Sequence, residues 1–478
     1  MSSFNRESVR EEAQRIKLEF DRLSSSKKMN SETQMLFQSM LLLLNLLISI
    51  FLEKATKKTS KNSSKPPSQT EKDESALSHI GTNGKGKEES NAVANNTRTI
   101  ESVTKIEVTT CDVCGSDLSK SPCQHIERRT KIDIVFEKTV EHVDAEVKHC
   151  PDCDSTVKGK FPSAMPGPLQ YGNGLKAYVI SLLICQMVAL NRAQKMIKSL
   201  IGELLSEATL LKFVLRLYHA LEQWELTATQ QLLQSPAVNV DETSLRVDKK
   251  NHWLHVYSAG DITLKFLHRK RGTEAINEIN IIPLYHGTII HDCWSSYLTY
   301  QHCDHSLCGS HLLRELTHAF ESNGYQWATN MKILLQETCK KVSKRKNKKL
   351  KKKEYTDLQK RYRNIITRGE KELPAIPAKP NGKRGPIAKS DAHNLWERLK
   401  EYESSVLLFA KKSDVSFTNN RAERDLRMSK VKQKVSGCFR TEIYAKAYCR
   451  ISSYLQTMSN KGHNPLIAIQ MALAGEVI

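Results

Sequence analysis

Three acids and four cysteines are the groups in this 478-residue chain whose type and spacing could do chemistry. Asp241 closes the apolar run 237–240, and Asp292 closes the similar run 287–291. Carboxylates are poor strand residues, so two at equivalent strand positions ask for a reason. If those strands lie side by side, both side chains enter one site and can share hard divalent cations, Mg2+ or Mn2+, which favour oxygen ligands. A single Asp at a strand end is more often a turn former. Glu423, in FTNNRAERDLRMSKVKQK, is a third candidate. Asn420 followed three residues later by Glu423 also spells a capping box, where the glutamate merely satisfies a backbone N–H, and spacing alone prefers that reading. Against it, Arg421, Arg424, Arg427, Lys430 and Lys434 put a basic face beside the acid, suited to phosphate oxygens. A solvated amphipathic helix has the same pattern.

Cys111-x-x-Cys114 and Cys150-x-x-Cys153 form two knuckles, each able to offer two thiolates to one tetrahedral ion, for which zinc is the natural occupant. Gly115 follows the first and Pro151 lies inside the second, turn residues that four unrelated buried cysteines would not share. The 35 intervening residues exceed ordinary ribbon spacing but include the strand-like KIDIVF; Cys123 and His125 are spare ligands. Four thiolates leave no open position for water, so the zinc is expected to be structural.

The elements that must position these groups follow from periodicity. Residues 5–55 read as a helical pair whose second member carries MLLLLNLLISIFL. Thirteen apolar residues rise about 20 Å, too short for a bilayer core, so burial or self-association is expected and a membrane span is not. Self-association through a short coiled coil and burial within the chain are equally weighted. Residues 56–104 are a polar linker, 105–162 a zinc-binding domain, and 163–234 a helical DNA-binding region. Within the last, helix, turn at Ile201 and Gly202, and helix from Ser206 match a helix-turn-helix, although any helical domain contains such pairs. At 237 the period changes to two: AVNVDETSLRV, HWLHVYSAG and ITLKFLHRK are strands, then TEAINEIN a helix and GTIIHDCW a strand. This predicts an α/β fold, a mixed sheet covered by helices. From Ser310 the chain is mostly helical, interrupted by ELPAIPAKPNGKRGP at 372–386 and closed by NPLIAIQMALAG.

Charge narrows the partner. Lysine and arginine number 73 against 52 acids, a net charge of +21 that predicts a polyanion, DNA or RNA. KKVSKRKNKKLKKK at 340–353 has ten basic residues in fourteen positions, including Lys348, Lys349 and Lys351, a cluster that repels itself unless phosphates neutralise it. The charged first thirty residues exclude an ordinary secretory signal, so a cytoplasmic, nucleoid-associated protein is expected, with its cysteines reduced.

Taken together, these segments resemble transposases of the insertion sequence 66 family, bacterial DDE enzymes with a zinc-binding segment ahead of a ribonuclease H-like domain. CDVCGSDLS and HCPDCD look like that family's zinc segment. VDETSLRV, IIHDCWSSY and TNNRAERDLRMSKVKQKVSGCFRT look like its three catalytic blocks, in the family's order, and the similarity spans about 105–475. Cys308-x-x-His311-x-x-Arg314 with Glu315 resembles a further family block, which is left as core or DNA contact. The resemblance implies that Asp241, Asp292 and Glu423 are the DDE carboxylates and that none is missing. It also implies a ribonuclease H-like domain over 235–440 with a helical basic insertion at about 326–412, then a C-terminal helical element at 441–478. The implied activity is metal-dependent cleavage of element ends and joining of the 3′-hydroxyl to target DNA. Double-stranded DNA, other copies of the chain and small accessory proteins are the implied partners. A zinc-containing DNA-binding regulator without catalysis leaves Asp241 and Asp292 unexplained; another ribonuclease H-like nuclease would share the acids.

Overall fold

The computed structural model describes residues 6–25, 31–55, 103–132, 137–376 and 387–477. Nearly all of the expected linker, residues 133–136 of KIDIVF and residues 377–386 of the proline-rich connection lie outside the described residues.

The N-terminal pair is α1 (Arg6–Ser25) and α2 (Ser31–Ala55). They meet through Phe20 stacked on Phe37, rings 6.4 Å apart, while Leu46 and Ser49 are buried where α2 reaches the helical part of the molecule. Met35, Leu36, Met40 and Leu47 stay exposed. The helix extends well past the thirteen apolar residues counted from sequence, and the stretch 33–50 is long and apolar enough to cross a membrane by length and composition alone. Length alone therefore does not separate burial or self-association from a span for α2, and a single helix of this kind is weak evidence for a membrane. Among its described residues the cysteine region contributes the hairpin β1 (Val147–His149) and β2 (Thr156–Lys158) and an isolated bridge between Thr110 and Asp117.

Next come α3 (Asn173–Ile180), continued by a π turn over Ser181–Cys185, then α4 (Leu190–Ile201), α5 (Glu207–Ala220) and α6 (Glu222–Leu233). The turn between α4 and α5 follows the sequence: Gly202 takes the left-handed conformation that ends α4, and the Ser206 hydroxyl caps α5 by accepting from Thr209 N at 3.1 Å. Leu210, Phe213, Val214 and Leu217 bury one face of α5 in the main core.

The sheet is built from β3 (Ala237–Val247), β4 (Lys250–Ala259), β5 (Ile262–His268), β6 (Thr288–His291) and β7 (Asp304–Leu307), in the order β5-β4-β3-β6-β7. Asp248 and Lys249, both with positive φ, make the two-residue turn that suits the twist of the β3–β4 hairpin. β6 and β7 run parallel to β3 and follow α7 (Thr273–Ile279) and the short α8 (Ser295–Leu298). β6 is buried throughout, as an uninterrupted apolar strand with neighbours on both sides must be. Three antiparallel strands with two parallel strands added beside the first are compatible with the ribonuclease H-like expectation; β7 was not read from sequence.

Between β7 and the last sheet-covering helices lie α9 (Gly309–Asn323), α10 (Gln326–Ser343), α11 (Lys352–Glu372), α12 (Asp391–Glu401), α13 (Glu403–Val406) and α14 (Leu408–Lys411). They form a second core around Trp327, Leu335, Tyr362 and Leu399, joined to the sheet through Ile290 and Leu307. Gly369 of α11 has no room for a side chain, since a Cβ would lie 2.9 Å from Trp396 and 3.0 Å from Trp327. The chain then returns as α15 (Asn420–Ser436), α16 (Glu442–Asn460) and α17 (Pro465–Ala474). α15 lies on β3 and β4, and α16 packs along β5. That strand is a sheet edge, and its outward N–H groups at Thr263 and Lys265 donate to Thr457 Oγ1 (3.1 Å) and Ser453 Oγ (2.8 Å) of α16, which closes the edge.

Candidate active site

Asp241 lies within β3, not at its end, because the strand runs on to Val247. It is nevertheless the point where parallel pairing has stopped. The last rung between β3 and β6 is Asn239 with Ile290, and both Asp241 and Asp292 stand two positions beyond it. Equal register puts the two carboxylates on the same side of the sheet at adjacent positions, since strand side chains alternate. Asp241 Oδ1 accepts from Glu242 N at 2.8 Å, and Asp292 Oδ1 accepts from Trp294 N at 3.2 Å. Burial first, then the charges of Glu242, Asp292 and Glu423, hold the Asp241 carboxyl well above the usual carboxylate range.

Glu423 reaches this cluster from the first turn of α15. The capping-box alternative does not describe it. The N-cap is Asn419, no side chain caps the helix, and Glu423 Oε1 is buried without a hydrogen-bond partner. Asn419 is turned inward instead: its amide donates to Val240 O at 2.7 Å, its Oδ1 accepts from Asn239 Nδ2 at 2.8 Å, and its N–H donates to Cys308 Sγ at 3.1 Å. One buried asparagine thus ties the residue before Asp241 to the turn before Glu423 and to the start of α9.

Two further groups frame the acids. The His291 Nδ1 accepts from Cys293 N at 3.1 Å, its Nε2 meets His305 Nδ1 at 3.1 Å, and His305 Nε2 meets Tyr300 O at 3.0 Å. Only one proton arrangement satisfies all three contacts, with both rings neutral and each Nε2 donating. Burial, then His305, pushes His291 down to about 3, so the turn carrying Asp292 is held without adding charge. On the other side of β3, Glu242 accepts from Arg271 Nε at 2.7 Å and from Tyr297 OH at 2.5 Å. The Arg271 guanidinium sits over Trp253 and Trp294, 4.9 and 4.2 Å from their ring centres. Burial and Asp292 raise Glu242 to about 7 in spite of Arg271.

The sequence candidates for DNA contact divide. Arg421 donates to Ile262 O at 3.2 Å, and Lys430 Nζ donates to Ser244 O and Oγ at 3.1 Å, so both are engaged within the fold. Arg424, Arg427 and Lys434 are exposed. Asp425, two residues past Glu423, is buried and accepts from Ser258 Oγ (2.7 Å) and Thr263 Oγ1 (2.8 Å), which seats α15 on the sheet. Lys348, Lys349 and Lys351 are exposed at the turn from α10 to α11. There Glu354 accepts from Arg345 and lies 3.0 Å from Lys341, so part of the basic run is neutralised locally.

The two cysteine knuckles share one backbone pattern. Cys111 N donates to Ser116 O and Gly115 N to Cys111 O; Cys150 N donates to Ser155 O and Asp154 N to Cys150 O, all at 2.8–3.0 Å. Gly115 and Asp154 take the left-handed conformation that turns each loop back. Hydrogen bonds from Ser116, then Cys111, lower Cys114 to about 7, and Ser155 acts likewise on Cys153. The structure makes two equivalent knuckles but, among the described residues, does not gather the four thiols around one point. The one group of three or more metal-capable side chains found among the described residues is Cys308, His311 and Glu423, with ligand atoms within 4.8 Å of one another.

The acids fit a divalent cation. The charges of Asp292 and Glu423 both act on Asp241, although the ligand atoms of the three do not all lie within 4.8 Å of one another, and Glu423 Oε1 and His311 Nδ1 are buried without a hydrogen-bond partner. Sequence reasoning missed the roles of Asn239, Asn419, Glu242 and Arg271. It noticed His311 only as part of a block, although Cys-x-x-His at a helix start is ligand spacing.

A mixed five-strand sheet covered by helices is compatible with the ribonuclease H-like fold of DNA-processing enzymes. The family model described as Transposase IS66 family matches residues 168–447, more than half of the chain, and the chain belongs to that family. Comparison with curated proteins gives no match.

Proposed function

We propose that this chain is a DDE transposase that cleaves the ends of a bacterial insertion sequence and joins the freed 3′-hydroxyl to target DNA. The observation that carries this reading is the equal register of Asp241 and Asp292, two positions past the last β3–β6 rung, with Glu423 near enough for its charge to act on Asp241 and its Oε1 buried without a hydrogen-bond partner. The three carboxylates would hold Mg2+ or Mn2+. Such ions, when bound, supply positive charge that activates an attacking oxygen and stabilises the leaving one.

The chain's own residues do the rest. Asp241 and Asp292 come from the sheet and Glu423 from a helix, and the Asn419 contacts hold the strand of Asp241 to the start of the helix of Glu423. No side chain need act as nucleophile, since water and the DNA 3′-hydroxyl fill that part in turn. Arg424, Arg427 and Lys434 extend from Glu423 along α15 for phosphate contact, and Lys348, Lys349 and Lys351 offer charge without sequence preference. Zinc at Cys111, Cys114, Cys150 and Cys153 would be structural, drawing the two matching knuckles into one tetrahedral site. Other copies of the chain and small accessory proteins would complete the assembly, on DNA in the cytoplasm at the nucleoid.

The test is incubation of the full chain with labelled element ends, target DNA and Mg2+ or Mn2+. Joined strands are expected. Cleavage without joining would indicate a ribonuclease H-like nuclease, and binding without any nick a regulator.

A further inference from the structure

His311 is not needed to explain how the three acids meet, yet it is built into their site. Cys308 caps α9 and His311 stands in that helix's first turn. Its Nδ1 lies 3.7 Å from Glu423 Oε1, within ion-pair range but too far for a hydrogen bond, and both atoms are buried without a hydrogen-bond partner. Asp292 is also near enough for its charge to act on the ring. A nitrogen and an oxygen facing one another unpaired in a buried cleft are costly unless something between them accepts both lone pairs.

The approach is enforced. Gly309 N donates to Phe417 O at 2.8 Å, and a Cβ at Gly309 would fall 2.2 Å from the Phe417 ring, so the start of α9 is pressed against the strand of chain leading into α15. Ser310 Oγ meets Asn420 Oδ1 at 3.3 Å, and Cys308 Sγ receives the Asn419 N–H. That sulfur is already an acceptor in the brace, which leaves His311 as the free donor atom on α9.

We propose that His311 Nδ1 is a nitrogen ligand to the divalent ion held by Glu423, so that the centre favours Mn2+ over Mg2+. This rests on the reading of Asp241, Asp292 and Glu423 as metal ligands. Mg2+ takes oxygen donors in a strict octahedron, and Mn2+, although also at home with carboxylates, is a softer first-row ion that accepts a nitrogen donor more readily, so replacing one oxygen by nitrogen shifts the balance of these two ions toward Mn2+.

Pulsed electron paramagnetic resonance on the full chain with Mn2+ tests this without any turnover. A nitrogen coupling from a coordinated imidazole is expected in the native protein and absent in His311→Gln. Titration should show Mn2+ affinity at least about tenfold weaker in that variant, with Mg2+ affinity little changed. Mn2+ that depends on Asp241 and Glu423, tested with Asp241→Asn and Glu423→Gln, but shows no nitrogen coupling overturns the His311 assignment alone. Mn2+ that fails to bind, or binds regardless of those two acids, overturns the carboxylate centre and His311 with it. The nitrogen signal is read in the native chain, so a misfolded variant does not decide the outcome.

Discussion

The amides of Asn239 and Asn419, 180 positions apart in the chain, are hydrogen-bonded at 2.8 Å inside the protein. Asn419 continues to Val240 O at 2.7 Å, so the strand that bears Asp241 and the helix that bears Glu423 are fastened one and four residues from the acids themselves.

Asn419→Ala should therefore damage both fold and site. Asn239 Nδ2 and Val240 O would be left buried without this partner, at about 1–3 kcal/mol each. Thermal melting should fall and metal-dependent strand cleavage should be lost while every acid remains. An unchanged melting temperature with full cleavage would remove the brace from the account.

Asp241→Asn should separate charge from chemistry. With a chelator present, the variant is expected to be more stable than the native protein by roughly 1–3 kcal/mol and to melt higher, because one member of a repelling carboxylate group is neutralised. Adding Mn2+ should raise the melting temperature of the native chain and leave the variant unmoved, and the variant should neither cleave nor join. Calorimetry with and without the ion reads both halves.

Asp425 and Glu423 sit on one turn of α15 but should behave in opposite ways. Asp425→Ala strands the Ser258 and Thr263 hydroxyls and leaves buried Lys265 without its nearby acid, costing about 2–4 kcal/mol of stability. Glu423→Gln should cost little stability and abolish Mn2+ binding. Denaturant unfolding beside metal titration distinguishes the two acids.

Stability should decline on mild acidification through His255. Burial, helped by His268 and Arg271 and opposed by the Lys270 carbonyl, lowers this histidine from 6.5 to about 4. The folded chain keeps it neutral while the unfolded chain protonates it, so its contribution is intact above pH 6.5 and is lost as pH falls toward 4. Each unit of that window corresponds to about 1.4 kcal/mol. Unfolding of His255→Gln should lose stability less steeply than the native chain between about pH 6.5 and 4, with His291 adding to the remaining fall and the raised carboxyls of Asp241 and Glu242, which gain stability as pH drops, opposing it.

Zinc should be bound at one equivalent per chain in reduced protein, and Cys114→Ser or Cys153→Ser should bring it to near zero without altering the cooperative unfolding of residues 168–447. Elemental analysis and melting curves check the two statements separately. Native protein free of zinc after careful reduction would dispose of the knuckle assignment and leave the acids untouched.

Much of the sheet could be read from the chain because its cause is local. β3 coincides with AVNVDETSLRV, and β4, β5 and β6 fall where period-two or unbroken apolar runs predict them. The short β7, DHSL, has no such pattern; its place is set by β6 beside it and Leu307 beneath it. The α2 helix outran its apolar core because helix length depends on where capping and breaking residues fall, not on hydrophobicity alone.

Residue type and order were enough to pair Asp241 with Asp292, to mark the two cysteine knuckles, and to call for a polyanionic partner, while Glu423 stood out only through the family resemblance, since its spacing alone preferred a helix cap. Composition and spacing carry that information because they act through near neighbours. Whether Glu423 capped its own helix or faced two distant strands could be decided only by tertiary structure. Its fate depends on the inward turn of Asn419, and on the clamp between α9 and α15 that also sets His311 beside it. Those contacts join residues 110 to 180 positions apart, where packing and the demand that buried polar groups find partners take over from local pattern.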